Sequence, residues 1–363
     1  MQPSSQIFAL TRAEYSNFRG KILLRRTRTK EHCSSCIYQG RRALSDRSEF
    51  LPKTGVTSVA HMTVCRCWTC LVLLLSVTIC TSAAPTTVAL CFFGLTRSLH
   101  LTVDSIRHSI IDPLLLNDVK ITIYLHTYNS TSVTNRRSAE NAATADWTAY
   151  RLLQPHQWQV DDASAVDQEL FDPYMKLWLK HGDAWAGETA EHTTLRNFIK
   201  QLYSLKQVTN MWVNDSSHFD LVLYLRSDLW FFNQLDVKEL GKAAQHPRRI
   251  YTPSFHKWEG LNDRLAFGTP DVMTIYGNRL DVAINFAQQK ALHAEHFLLD
   301  VATKAGLDVT GQSTLLFERV RATGELWGVP SSIAAPTDES MIRLRPGLKV
   351  QRDQLGKIVF VPL

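Results

Sequence analysis

Three compact apolar runs, each ending in polar residues, constrain this chain more than any other feature of its sequence. They are TTVALCFFG (86–94), VKITIYLHTY (119–128) and FDLVLYLRSDLWF (219–231). Short β-branched, aliphatic and aromatic stretches bounded by turn residues read as buried strands. Between the first two, LTVDSIRHSIIDPLLL (101–116) places Leu101, Ile106, Ile110 and Leu114 near helical spacing. A strand, a connection of helical length and a second strand imply parallel neighbours joined by a right-handed crossover. The third run follows TTLRNFIKQLYSLKQVTNMW (193–212), in which Leu195, Phe198, Ile199, Leu202, Leu205 and Val208 share one helical face. The expected fold class is therefore α/β: a mostly parallel, Rossmann-like sheet flanked by helices, in one globular domain over 86–363.

The rest of that domain adds a short strand at RRIYTPSF (248–255) and a strand leading into a helix over NDRLAFGTPDVMTIYGNRL (262–280). There Thr269 is the expected N-cap, Pro270 the first helical residue and Asp271 a carboxylate beside the positive helix end. HAEHFLLDVATKAGL (293–307) reads as a helix and STLLFERVRATGE (313–325) as a late strand. The polar, Trp-rich stretch 129–187 has no clean period and reads as long loops and short helices over the upper edge of the sheet.

The excess of positive charge and six of the seven cysteines lie at the other end. The formal net charge is +6, but residues 1–60 hold 11 of the 40 lysines and arginines and only four of the 34 acidic residues. The main domain is thus near neutral, which removes the support for a nucleic-acid partner. All seven cysteines precede residue 92, so a thiolate metal site or disulfide framework in the main domain is excluded, and Cys33-Ser-Ser-Cys36 lacks a second pair at zinc spacing. Residues 1–61 read as a basic, disordered leader. Residues 62–85, centred on CLVLLLSVTIC (70–80), read either as a signal anchor, with the basic leader cytoplasmic, or as a signal peptide starting at Met62 and cleaved near Ala84. Either route leads to the secretory pathway: a lumenal domain at the Golgi or ER membrane, single-pass type II, or a secreted one. The sequons at Asn129 and Asn214 agree with a glycoprotein.

Polar side chains gather where the strands end, which is where open parallel sheets bind ligands. After the first strand comes GLTRS, whose Arg97 is a candidate phosphate clamp beside a helix start. After the second comes His126, a candidate phosphate ligand or proton shuttle. After the third come Arg226 and Asp228, a guanidinium and a carboxylate that suit a diphosphate and a bridging cation; the bland alternative is a turn cap paired with its own arginine. Further on stand Asn262, Asp263 and Arg264, then His293, Glu295 and His296 at a helix start, with His296 and Asp228 as candidate metal ligands.

Taken in order, FFGLTRSL, IYLHTY, QLYSLKQV, FDLVLYLRSDLWF, WEGLNDRLAFG, HAEHFLLD and FERVRATGE resemble a group of poorly characterised glycosyltransferase-like proteins of GT-A, nucleotide-diphospho-sugar transferase, fold. The resemblance spans about 87 to 325, and GLTRS, YLRSDL and NDRLAFG are its most specific parts. It implies a nucleotide-sugar donor, a glycan or glycoprotein acceptor and Mn2+ or Mg2+ as a cofactor. By the same resemblance LRSDL stands where the metal-binding DxD element lies, with Asp228 as its second aspartate and Arg226 in place of the first. That exchange opens the question of metal dependence, since a guanidinium also offsets phosphate charge. Asp263 and Glu295 fall where such folds keep acceptor-side carboxylates, so either is the expected base, with Asp263 preferred. The rival readings are a non-catalytic carbohydrate- or nucleotide-binding protein of the same fold and a nucleotide-dependent oxidoreductase. The latter is disfavoured because GLTRS replaces a G-x-G-x-x-G turn.

Overall fold

The computed structural model describes residues 87–135, 138, 140–182, 184–185, 193–327, 348–352 and 358–362. The leader 1–61, both readings of segment 62–85 and the Cys33/Cys36 pair lie outside the described residues. Cys91 is a buried free thiol in the sheet. No helix among the described residues is long and apolar enough to cross a membrane.

The chain begins with β1 (Thr87–Phe93), α1 (Leu99–Ile106), a π turn over Arg107–Ile111 and α2 (Asp112–Leu116). Then come β2 (Lys120–Tyr128), a hairpin of β3 (Ser132–Asn135) and β4 (Glu140–Thr144), β5 (Gln157–Asp161), α3 (Ala163–Leu170) and α4 (Asp172–His181). The long α5 (Thr193–Val213) feeds β6 (Leu221–Arg226), β7 (Leu229–Phe231) and α6 (Val237–Gln245). The second half holds β8 (Arg249–Pro253), β9 (Leu265–Gly268), α7 (Pro270–Gly277), α8 (Leu280–Ala287), α9 (Ala294–Lys304), β10 (Asp308–Ser313), β11 (Phe317–Val320) and β12 (Leu326–Trp327). A separate antiparallel pair joins β13 (Leu348–Arg352) to β14 (Ile358–Pro362).

Seven strands make the central sheet in the order β10-β8-β9-β6-β1-β2-β5. All run parallel except β9, which is antiparallel to both neighbours. Strand alternation explains the two cores. Val88, Leu90, Phe92, Leu221, Leu223 and Leu225 pack on one face with α1, Ile110, Leu114 and α6. Ala89, Cys91, Phe93, Val222 and Tyr224 pack on the other with α5, α7, α8 and α9. Because helices cover both faces, β1 is apolar throughout Val88–Phe93 and β6 throughout Leu221–Leu225, as parallel interior strands require.

Several elements differ from the sequence reading. The polar stretch 129–187 contains an edge strand, β5, paired to β2. QWQVD lacks the alternation of a buried strand because an edge strand keeps Gln157 and Trp158 exposed. Strand β10 and helices α6 and α8 are likewise additional. Asp236 caps α6 by accepting from Lys238 N–H. The Thr269 side chain does not cap α7; its hydroxyl donates to the Pro247 carbonyl instead. Pro270 opens that helix as expected.

Candidate functional site

Counting only the first four sheet strands by chain order, the run from the β5 edge to β6 reads 3-2-1-4. The order therefore reverses between β1 and β6, and ligands of open α/β sheets sit beyond the carboxyl ends of the strands at such a reversal. The residues there are Gly94 to Arg97 after β1 and Arg226 to Asp228 at the end of β6. Gly94 takes φ of +89°, a conformation that glycine adopts without strain, and so turns the chain off the sheet into α1. Because β9 runs antiparallel, its amino end brings Asn262, Asp263 and Arg264 to the same rim; Arg226 N–H donates to the Arg264 carbonyl at 3.2 Å. A cavity of about 1240 Å³ opens over this rim, lined among others by Arg97, Arg226, Asp263, Arg264, Glu295, Arg319 and Arg321.

Asp228 is the hub beneath it. Its carboxylate accepts from Arg226 Nε at 2.8 Å and Nη2 at 2.7 Å, and from Arg97 Nη2 at 2.8 Å. Burial pushes this carboxyl up, but the charges of Arg226 and Arg97 outweigh it and hold it far below the usual carboxylate range. The Asp228 side chain is 1% exposed and does not line the cavity, whereas Arg226 keeps 13% exposed and does. The carboxylate thus holds the guanidiniums rather than meeting a ligand itself. Arg97 is gripped from its other side by Glu140 at 3.0 Å. Glu140 in turn accepts from Ser138 Oγ at 2.6 Å and Ala322 N–H at 2.9 Å. The tip of β6 is stitched to β11 by Val320 N–H donating to the Asp228 carbonyl at 2.8 Å. That pairing sets Arg319 opposite Leu229.

Arg319 differs from its neighbours. No hydrogen bond or ion pair among the described residues engages its side chain, and burial, then the charges of Arg321, Arg264 and Arg226, drive its pKa well down. Burial and the Arg97 charge also lower Arg321, to about 9. Arg97 Nε and Arg264 Nη1 are buried without a hydrogen-bond partner. Incompletely neutralised guanidiniums in a cavity wall suit an anion, because an anion removes both the unpaired donors and their mutual repulsion.

The two carboxylates at the rim are tuned in opposite directions. Burial raises Asp263, but Arg264, Arg279 and Arg226 outweigh it, so it stays ionised; Gln201 Nε2 also donates to it at 2.7 Å. Gln201 links onward through its Oε1 to Arg226. For Glu295, burial and then the charge of Asp263 win, and its pKa is raised to about 7 despite Arg264 at 3.3 Å. Of the two expected bases, Glu295 is the one poised to exchange a proton near neutrality.

Other expected site residues fall elsewhere. His126 is fully buried, with Nδ1 on Ser204 Oγ at 2.8 Å and Nε2 on the Asp161 carboxylate at 3.1 Å. Both nitrogens are used and it does not line the cavity, so the reading of His126 as a phosphate ligand is corrected: it braces the floor. Ser204 Oγ also accepts from Gly94 N–H at 2.8 Å, which ties that brace to the β1 turn. His296 lies 3.8 Å from Glu259 and does not line the cavity; its neighbour His293 does. Among the described residues no group of three or more His, Cys, Asp or Glu side chains is placed to hold a metal ion. Both Asp228 oxygens accept from guanidiniums and His296 does not line the cavity, so the two do not fit together as ligands of one divalent cation. Glu140, Gln201, Arg319 and Arg321 were not legible as site residues, since each reaches the rim from a distant segment. FERVR carries three charges: Glu318 and Arg319 lie within β11, and Arg321 follows it.

The loop before β9 rests on Glu295. Leu261 N–H donates to the Glu295 carbonyl at 3.1 Å, and a Cβ on Gly260 would lie 2.1 Å from that oxygen. Gly260→Ala is expected to destabilise the fold by about 3 kcal/mol, the upper part of the range for overpacking. Urea unfolding of the two proteins measures it, and an unchanged midpoint would contradict the packing described.

Comparison with known proteins adds little. No family model matches the chain and no curated protein matches it. Among solved structures it is similar to mouse xyloside xylosyltransferase 1 in its apo form, with 12% identity, 60% of this chain and 82% of that chain covered, and a TM-score of 0.31. The geometry of the cavity, rather than this likeness, carries the functional reading.

Proposed function

We propose that this protein is a glycosyltransferase of GT-A type that moves a sugar from a nucleotide-sugar donor to a hydroxyl of a glycan or glycoprotein acceptor. The observation that carries the reading is the guanidinium cluster at the strand-order reversal, in which the Arg319 side chain makes no hydrogen bond or ion pair among the described residues. Arg97, Arg226 and Arg319 hold the donor diphosphate, positioned by Asp228 and Glu140. As the bond from the sugar C1 to the diphosphate oxygen breaks, these guanidiniums take up the charge on the leaving group, the task a divalent cation would otherwise perform. The acceptor oxygen bonds to C1 and its proton passes to Glu295. Asp263, held ionised by its arginines, keeps the Glu295 carboxyl basic. The reading places the domain in the secretory lumen, delivered by residues 62–85.

Calorimetric titration of the full chain with UDP, GDP and their sugar conjugates tests this in EDTA and again in Mn2+. Binding is expected in both buffers, and Arg319→Ala should weaken it ten- to a hundredfold, the loss of one charged hydrogen bond. Absence of binding in either buffer overturns the donor site; binding only with Mn2+ overturns the assignment of the metal's task to arginine.

A further inference from the structure

One large aromatic ring sits at the cavity where the fold itself has no use for it. Trp258 is 62% exposed, on the loop between β8 and β9, and lines the cavity. The loop holds it there against backbone preference: His256, Trp258 and Glu259 have φ of 49°, 43° and 64°. Left-handed backbone is costly for a side-chain-bearing residue and persists only where surrounding contacts impose it. Those contacts are present. Gly260 N–H donates to the Lys257 carbonyl at 2.7 Å, Asn262 Nδ2 donates to the Phe255 carbonyl at 2.9 Å, and the loop closes on the Glu295 backbone. The His256 ring lies nearly parallel to Trp258, inclined by 21° with centroids 6.3 Å apart, and is itself fixed by Glu318 at 3.3 Å. One side of the indole is thus backed while much of its surface faces solvent. Burying an indole in the core would stabilise the fold; holding it at the cavity on a loop of left-handed backbone points to a ligand with an apolar face.

A pyranose has such a face. Its axial C–H groups form an apolar patch, weakly positive and so attracted to the indole π face, while its hydroxyls project from the ring edge. The competing occupant is the nucleobase of the donor. Trp258 stands on the β8–β9 loop, which is hydrogen-bonded to the residue that takes the acceptor proton, and this favours the acceptor.

We infer that Trp258 is the acceptor platform: a pyranose ring of the acceptor glycan stacks on its open face and turns a hydroxyl toward Glu295. The inference rests on the glycosyltransferase reading and supplies its acceptor class, a sugar rather than a protein hydroxyl.

Ligand-observed NMR of the full chain saturated with UDP or GDP, using methyl hexopyranosides as probes, tests it. Saturation transfer to the C–H protons of one sugar face is expected in the wild type. In Trp258→Ala it should fall about tenfold and in Trp258→Phe it should largely persist, since an aromatic ring is what the stacking needs. Affinity for UDP or GDP should stay within twofold in both variants, and the exposure of Trp258 predicts an unchanged melting temperature. Saturation transfer unaltered in Trp258→Ala, or a drop in nucleotide affinity that puts the base on the ring, overturns the inference. If saturation transfer to the sugar disappears in Trp258→Ala while the wild type binds no nucleotide, the sugar site stands and the donor reading falls, so the two fail separately.

Discussion

Replacing Asp228 with alanine is expected to cost the fold about 3–5 kcal/mol, the penalty for breaking a buried ion pair from one side. The substitution leaves Arg226 and Arg97 facing each other without the carboxylate that accepts from both. Asp228→Asn keeps the shape but not the charge, and its amide nitrogen would point at a guanidinium, so it should recover little. Because the carboxyl of Asp228 is depressed in the folded protein, its stabilisation is complete above the ordinary carboxylate range and is lost as pH falls towards the folded value. The wild type should therefore lose stability on acidification more steeply than Asp228→Asn. Urea unfolding at pH 7 and at about pH 2.5, well below the ordinary carboxylate value, measures both effects. A variant as stable as the wild type at pH 7 would show that the arginines do not depend on Asp228.

The second large effect is on turnover. Glu295→Gln is expected to lower kcat for sugar transfer by about 10²–10⁴, the range for a positioned base, with little change in donor KM. In the wild type the rate should rise with pH through about 7 as the Glu295 carboxyl ionises, and that limb should be absent from the variant. Stability supplies a readout that needs no substrate. A carboxyl raised on folding favours the folded state while protonated, and this contribution disappears as pH rises through the folded value. Between pH 6 and pH 8 the wild type should thus lose stability relative to Glu295→Gln. A variant that keeps both the turnover and the pH profile would return the role of base to Asp263.

How much was readable in advance differs by element and by physical cause. Helix α5 was legible nearly to the residue because Leu195, Phe198, Ile199, Leu202, Leu205 and Val208 all pack inward, and a helical period is a local property of the sequence. Strands β1, β2 and β6 were legible because both their faces are covered. Strand β5 was not, since it lies at an edge and half of it faces water. At the site, Arg97, Arg226, Asp263 and Glu295 were legible from their places at strand and helix ends, and all four line the cavity. His126 occupies an equivalent place and yet faces inward, because Ser204 and Asp161 happen to flank it there.

Sequence alone determined the parallel sheet, the rim at which its polar residues collect, and the placing of Arg226 and Asp228 together at the end of a central strand. Only the tertiary structure decided what that pair does. It brought Glu140, Arg319 and Arg321 from distant segments to the same rim, turned Asp228 from a candidate ligand into the support of two guanidiniums, and separated Asp263 from Glu295 as proton carriers. The reason is physical. Strand and helix propensity act between residues a few positions apart, whereas charge pairing and desolvation depend on neighbours that meet only when the chain has folded.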